Sequence, residues 1–121
     1  MDNLINICTK KLEIDPGHKK ALFIRASSYM KKGLYYDAIN DCNQLLSIDS
    51  SNAGAFYIRG CAHEKLGEID KGIEDLTTVL KLDPNHVNAA FARAACQNRK
   101  GAFVKAIEDY SMALEKDCEK Q

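Results

Sequence analysis

Apolar residues recur along this chain at spacings of three and four, in stripes about four turns long that short polar turns interrupt. In the segment 69–82, Ile69, Ile73, Leu76, Val79 and Leu80 share one face of a helix. A first stripe, Ala53 to Leu66, ends just before Gly67, and Asp83-Pro84-Asn85 follows the second. A glycine in that place ends a helix through left-handed backbone, and proline and its predecessor do not continue one. The segment 53–86 therefore predicts two helices joined by a glycine turn. No stretch alternates apolar and polar residues with β-branched enrichment, so no strand is expected.

The pattern returns on either side. Gly33, Gly67 and Gly101 lie 34 residues apart, as do Arg25, Arg59 and Arg93, then Ile39, Ile73 and Ile107, then Asp41, Asp75 and Asp109. A period of this length means one supersecondary unit stacked on copies of itself. The units run 19–52, 53–86 and 87–121. Residues 1–18 match a lone second helix: Leu4, Ile5, Cys8, Leu12 and Ile14 keep the register of Ala38, Ile39, Cys42, Leu46 and Ile48. The expectation is one all-α domain over 1–121, an α-solenoid of antiparallel helix pairs built of half a unit plus three.

These residues resemble the tetratricopeptide repeat family. Its 34-residue pattern is a large apolar residue, Leu-Gly, an aromatic, Ala-x3-Phe and a proline. The middle unit has Phe56, Arg59-Gly60, His63, Gly72-x3-Leu76 and Pro84. The first has Leu22, Arg25-Ala26, Tyr29, Ala38-x3-Cys42 and Ser50; the third has Ala90, Arg93-Ala94, Gln97, Ala106-x3-Tyr110 and Cys118. The resemblance spans essentially the whole chain. It implies a right-handed superhelix whose concave face is lined mainly by first helices and holds other proteins.

Two features of the register carry physical expectations. Ala26, Gly60 and Ala94, with Ala38, Gly72 and Ala106, stand where helices would cross closely. Gly72 costs about 1 kcal/mol of helix propensity relative to alanine, and close packing is the reason to tolerate it. In place of the family's leucine stand Arg25, Arg59 and Arg93, and 16 residues after each comes Asp41, Asp75 or Asp109. That spacing predicts an Arg–Asp pair within each repeat or between neighbours; the alternative is two solvated, unpaired charges.

The helical wheel sets out a candidate peptide-binding face on the first helices. It comprises Lys20, Phe23, Ile24, Ser27 and Lys31, then Tyr57, Ile58, Cys61 and Lys65, then Asn88, Phe91, Ala92 and Arg99. Phe23, Tyr57 and Phe91 are again 34 apart, so their rings form a row, with Lys20, Lys31, Lys65 and Arg99 as a mildly basic rim that Glu64 partly offsets. Apolar rings on a nominally open face suit an extended or helical peptide with apolar anchors. They equally suit packing against the next repeat's first helix, and both readings stand. Some relatives grip a chaperone carboxylate with a clamp of lysines, asparagines and an arginine. The matching places here hold Phe23, Ser27, Ile58, Asn88 and Ala92, and only Asn88 is suitably polar, so the clamp type is not expected.

Composition narrows the classes. Lysine plus arginine equals aspartate plus glutamate, 17 each, which argues against a nucleic-acid binder. Five cysteines, an odd number with no CxxC, read as small buried hydrophobes in a reducing, cytoplasmic setting. No signal peptide or membrane span is visible. His18 and His86 fall in turns and are expected to be exposed, whereas His63 replaces the family's aromatic and is expected to be packed. With no metal spacing, phosphate loop or Cys–His pair in register, neither catalysis nor a cofactor is expected. The array starts mid-repeat and stops without a polar cap, leaving Tyr110, Met112, Ala113 and Leu114 short of cover. A longer array or a homo-oligomer would bury them. The reading is an adaptor or scaffold that binds another protein through a peptide or helix. The alternative is a structural spacer or self-association segment of a larger repeat protein.

Overall fold

The computed structural model describes residues 3–119, the last two without their side chains, so Cys118 and the tail beyond it lie outside the described side chains. Its elements are α1 (Asn3–Ile14), α2 (Lys19–Lys31), α3 (Tyr35–Ile48), α4 (Ala53–Lys65), α5 (Ile69–Leu82), α6 (Val87–Lys100) and α7 (Phe103–Glu119), with no strand among the described residues. None of these helices is long and apolar enough to cross a membrane.

Each helix packs on its sequence neighbours, and α2 also touches α4 as α4 touches α6. Among the described residues no second helix (α1, α3, α5 or α7) packs on another. A row in mutual contact beside a splayed row curves the array, with the first helices on the inside. The core runs along the stack in successive clusters: Leu22, Cys42 and Leu45 between the first helices, then Leu76, Val79 and Cys96, then Val87, Ala90 and Ala113. This is the nearest-neighbour packing of a repeat array.

The glycine turns share one geometry. Gly33, Gly67 and Gly101 have φ of +78°, +82° and +89°. The amide after each bonds back five residues, Leu34 to Tyr29, Glu68 to His63 and Ala102 to Gln97, which satisfies carbonyls the helix end would orphan.

The other junctions correct the reading of the histidines. His18 and His86 are half-buried and are not free in their turns. Each caps the following helix: its Nδ1 accepts from the amide of Ala21 (3.1 Å) or Ala89 (2.9 Å). Asn52 does the same in the middle repeat, Oδ1 accepting from Ala55 at 2.9 Å. Asn52→Ala is expected to cost about 1 kcal/mol and His86→Asn to be nearly neutral, as checked by urea denaturation.

Small residues sit at every pair crossing. Ala26, Gly60 and Ala94 are buried, as are Ala38, Gly72 and Ala106. In the middle repeat the backbones come close, since a Cβ built on Gly72 would stand 3.0 Å from the Gly60 carbonyl oxygen.

Candidate protein-binding face

An ion-pair ladder fixes the first helices against the second. Arg25 Nε and Nη2 donate to Asp41 Oδ2 and Oδ1 at 2.8 and 2.6 Å. Arg59 makes the same fork on Asp75 at 2.8 Å twice, and Arg93 on Asp109 at 2.7 Å twice. The three aspartate side chains are only 5%, 6% and 8% exposed. Bidentate pairing is what makes such buried carboxylates tolerable. The Asp41 carboxylate, hydrogen-bonded to Arg25, drives that guanidinium's pKa up, and Asp75 does the same to Arg59.

Each arginine also reaches the preceding repeat, a link that sequence reasoning missed. Nη1 donates to Thr9 Oγ1 from Arg25 (3.0 Å), to Asn43 Oδ1 from Arg59 (2.9 Å) and to Thr77 Oγ1 from Arg93 (3.2 Å). These acceptors are themselves 34 apart. A fourth position in the register varies its chemistry. Tyr29 lies under Arg25 with the guanidinium carbon 5.7 Å from the ring centroid. His63 Nε2 is 3.9 Å from Asp75 while its Nδ1 bonds Glu68 at 2.9 Å. The Gln97 amide, oriented so that its nitrogen faces acceptors, donates to Asp109 Oδ2 at 2.8 Å. The ladder therefore ties each first helix both to its own partner and to the preceding second helix.

On that face, Lys20, Lys31, Lys65 and Asn88 are exposed, and Ile24, Ser27, Cys61 and Ala92 are half-buried. Ile58 is 8% exposed and belongs to the core between α2 and α4, so it is not a lining residue of an open surface. Arg99 is held by Glu64, its Nη1 bonding both the side chain and the carbonyl oxygen, which removes it from the basic rim.

The three aromatics occupy one register but differ in surroundings. Phe23 is 38% exposed and leans on the next first helix, where a Cβ at Gly54 would come within 2.7 Å of its ring. Tyr57 is half-buried with its ring centroid 4.9 Å from that of His86. Burial, with the Cys61 thiol beside it, pushes the Tyr57 phenol up to about 12, so the hydroxyl keeps its proton. Phe91 is half-buried and tilts against Tyr110 of α7 at 6.2 Å between centroids. Phe23 and Tyr57 thus brace the next repeat, Phe23 remaining exposed and Tyr57 half-buried.

The four described cysteines are free thiols whose burial favours the protonated form. Burial pushes Cys42 up to about 12 and Cys96 up to about 11, and raises Cys8 and Cys61 as well. Among the described residues no cluster of three His, Cys, Asp or Glu side chains could hold a metal ion. A depression of about 410 Å³ on the outer side is lined by Tyr36, Asn43, His63 and Glu68, beside the Arg59–Asp75 pair.

Helix pairs stacked with their first helices inside define a solenoid of helical repeats. The chain belongs to the tetratricopeptide repeat family: one tetratricopeptide repeat model matches residues 57–118 and a second matches 19–52. Members of this family are protein–protein interaction modules. No curated protein matches the sequence. Among solved structures the chain is similar to MamA, with 28% identity over 93% of this chain and 66% of that one, at a TM-score of 0.88. MamA 41-end from Desulfovibrio magneticus RS-1 superposes at a TM-score of 0.90 over 97% of this chain and 66% of that one, and at 21% identity the likeness is of fold alone. The first TPR of Spaghetti (RPAP3), bound to the HSP90 peptide SRMEEVD, is 27% identical over 80% of this chain and 77% of that one, at a TM-score of 0.78. The chain thus spans just under two thirds of the MamA chains it matches.

Proposed function

We propose that the chain, acting as one domain over 1–121, is an adaptor that binds a peptide segment of another protein on its inner face, without the carboxylate-clamp chemistry. The observation that carries this reading is the inner row of first helices. It carries Phe23, exposed, and Tyr57 and Phe91, half-buried, together with the ammonium groups of Lys20, Lys31 and Lys65, which pair with no carboxylate among the described residues. A rigid apolar surface with a cationic rim lowers the ordering cost of binding. The peptide-bound Spaghetti repeat supports the general mode. The clamp variant lacks support because Phe23, Ser27, Ile58 and Ala92 offer no cation at the matching positions.

The test is affinity capture from a cell extract with the chain as bait, run beside the Tyr57→Ala, Phe91→Ala double variant. The expected result is a protein held by the first bait and lost by the second, with the variant still helical by circular dichroism. Capture unaffected by the double variant would move the working surface elsewhere.

A further inference from the structure

In the last turns of the first helices three cations keep one register: Lys31, Lys65 and Arg99, each 34 residues after the one before. Arg99 already holds a carboxylate. Its Nη1 bonds the Glu64 side chain and, at 3.0 Å, the Glu64 carbonyl oxygen, across the contact between α4 and α6. Glu64 stands 35 residues before Arg99. The residue 35 before Lys65 is Met30, on α2, which packs on α4 as α4 packs on α6. The middle of the array therefore repeats the cation and omits the acid that would serve it. Lys65 is exposed, and Met30 is half-buried against the core of the first repeats. No neighbouring carboxylate makes good the loss: Glu64 is committed to Arg99, Glu68 to His63 and Lys71, and Asp70 to Lys100. Lys65 pairs with none among the described residues. The helix dipole favours a lysine in a last turn, which accounts for the cation and leaves the missing acid unexplained.

We infer that Lys65 and Met30 together receive an aspartate or glutamate side chain of the partner peptide. A carboxylate seated over Met30 stands to Lys65 as that of Glu64 stands to Arg99, so the partner supplies from outside the ion pair that the next step of the array makes from within. The uncompensated ammonium selects that charge and disfavours a basic residue in the same place. Cys61 and Tyr57, one and two turns back on the same face of α4, are half-buried and set an apolar residue of the peptide beside the acid. The position lies apart from the five clamp places at Phe23, Ser27, Ile58, Asn88 and Ala92. The inference rests on the reading of the inner face as a peptide-binding surface and names the partner's chemistry at one point of it.

The experiment selects peptides from a random displayed library on the full chain and measures the tightest of them, fluorescein-labelled, by anisotropy. The expected result is an acidic residue common to the selected peptides and binding that added salt weakens. Lys65→Gln is expected to weaken the tightest peptide about tenfold at unchanged melting temperature, since the side chain is exposed. Met30→Glu, which supplies the acid from within, is expected to weaken it comparably. Met30→Gln has a similar size and no charge, and is expected to bind as the parent does, which separates charge from packing. Glu64→Met frees Arg99 and is expected to select peptides with a second acidic residue. Selected peptides with no acidic preference would overturn the inference while leaving the inner face a peptide site. So would Met30→Glu binding as tightly as the parent, or Glu64→Met selecting the parent's peptides unchanged. A library from which the chain selects nothing would overturn the underlying reading and the inference with it.

Discussion

Asp75→Ala is expected to destabilise the chain by about 3–5 kcal/mol, the cost of breaking one side of a buried pair. The Asp75 side chain is 6% exposed and takes both oxygens' bonds from Arg59 at 2.8 Å. Its removal leaves the Arg59 guanidinium, only 24% exposed, with Asn43 Oδ1 as its remaining side-chain hydrogen-bond acceptor among the described residues. The pair itself contributes far less than this figure, because both charges were first taken out of water. Replacing both residues together, Arg59→Met with Asp75→Leu, should therefore recover most of the loss. Urea denaturation of the two single variants and the double variant measures the coupling. A loss within about 0.5 kcal/mol for Asp75→Ala, the ordinary range for an exposed surface change, would mean that the ladder is ornamental.

Gly72→Leu is expected to destabilise comparably, and Gly72→Ala more mildly. On helix propensity alone, alanine would gain about 1 kcal/mol. Against this, the new Cβ would meet the Gly60 carbonyl oxygen at 3.0 Å and the Glu64 nitrogen at 3.5 Å. Both are backbone atoms, so α4 and α5 must separate, and overpacking of that kind costs about 1–3 kcal/mol. Separation would also stretch the Arg59–Asp75 fork, since a Cβ at Gly60 would already stand 3.1 Å from the Asp75 Cβ. A higher melting temperature for Gly72→Ala than for the parent would show that the crossing has slack. The first and third repeats carry alanine at both equivalent places, so they cross with room for a methyl group.

Which features are legible in the sequence follows from how the period expresses itself. The helix pairs, the glycine turns and the Arg–Asp ladder each repeat one residue type at one position, so spacing alone exposes them. The helix caps at 18, 52 and 86 and the cross-repeat acceptors at 9, 43 and 77 repeat a role with changing residue types: His, Asn, His and Thr, Asn, Thr. An imidazole Nδ1 and an amide oxygen accept the same bond, and a search by residue type passes over that equivalence. The inner face was harder still. A helical wheel divides a helix into a buried and an open side, but a first helix within the stack packs on its partner, on the previous second helix and on both adjoining first helices. Ile58 falls on the contact with the preceding first helix, and Glu64, already legible as an offset to the basic rim, bonds Arg99 specifically from 35 residues away.

Amide shift mapping by NMR, on the chain titrated with the peptide segment recovered by capture, tests the central claim most directly. The account predicts perturbations confined to the inner-facing residues of α2, α4 and α6, around Phe23, Tyr57 and Phe91, with α3 and α5 unmoved. Perturbations centred on the outer depression around Tyr36 and Glu68, with the first helices silent, would contradict it.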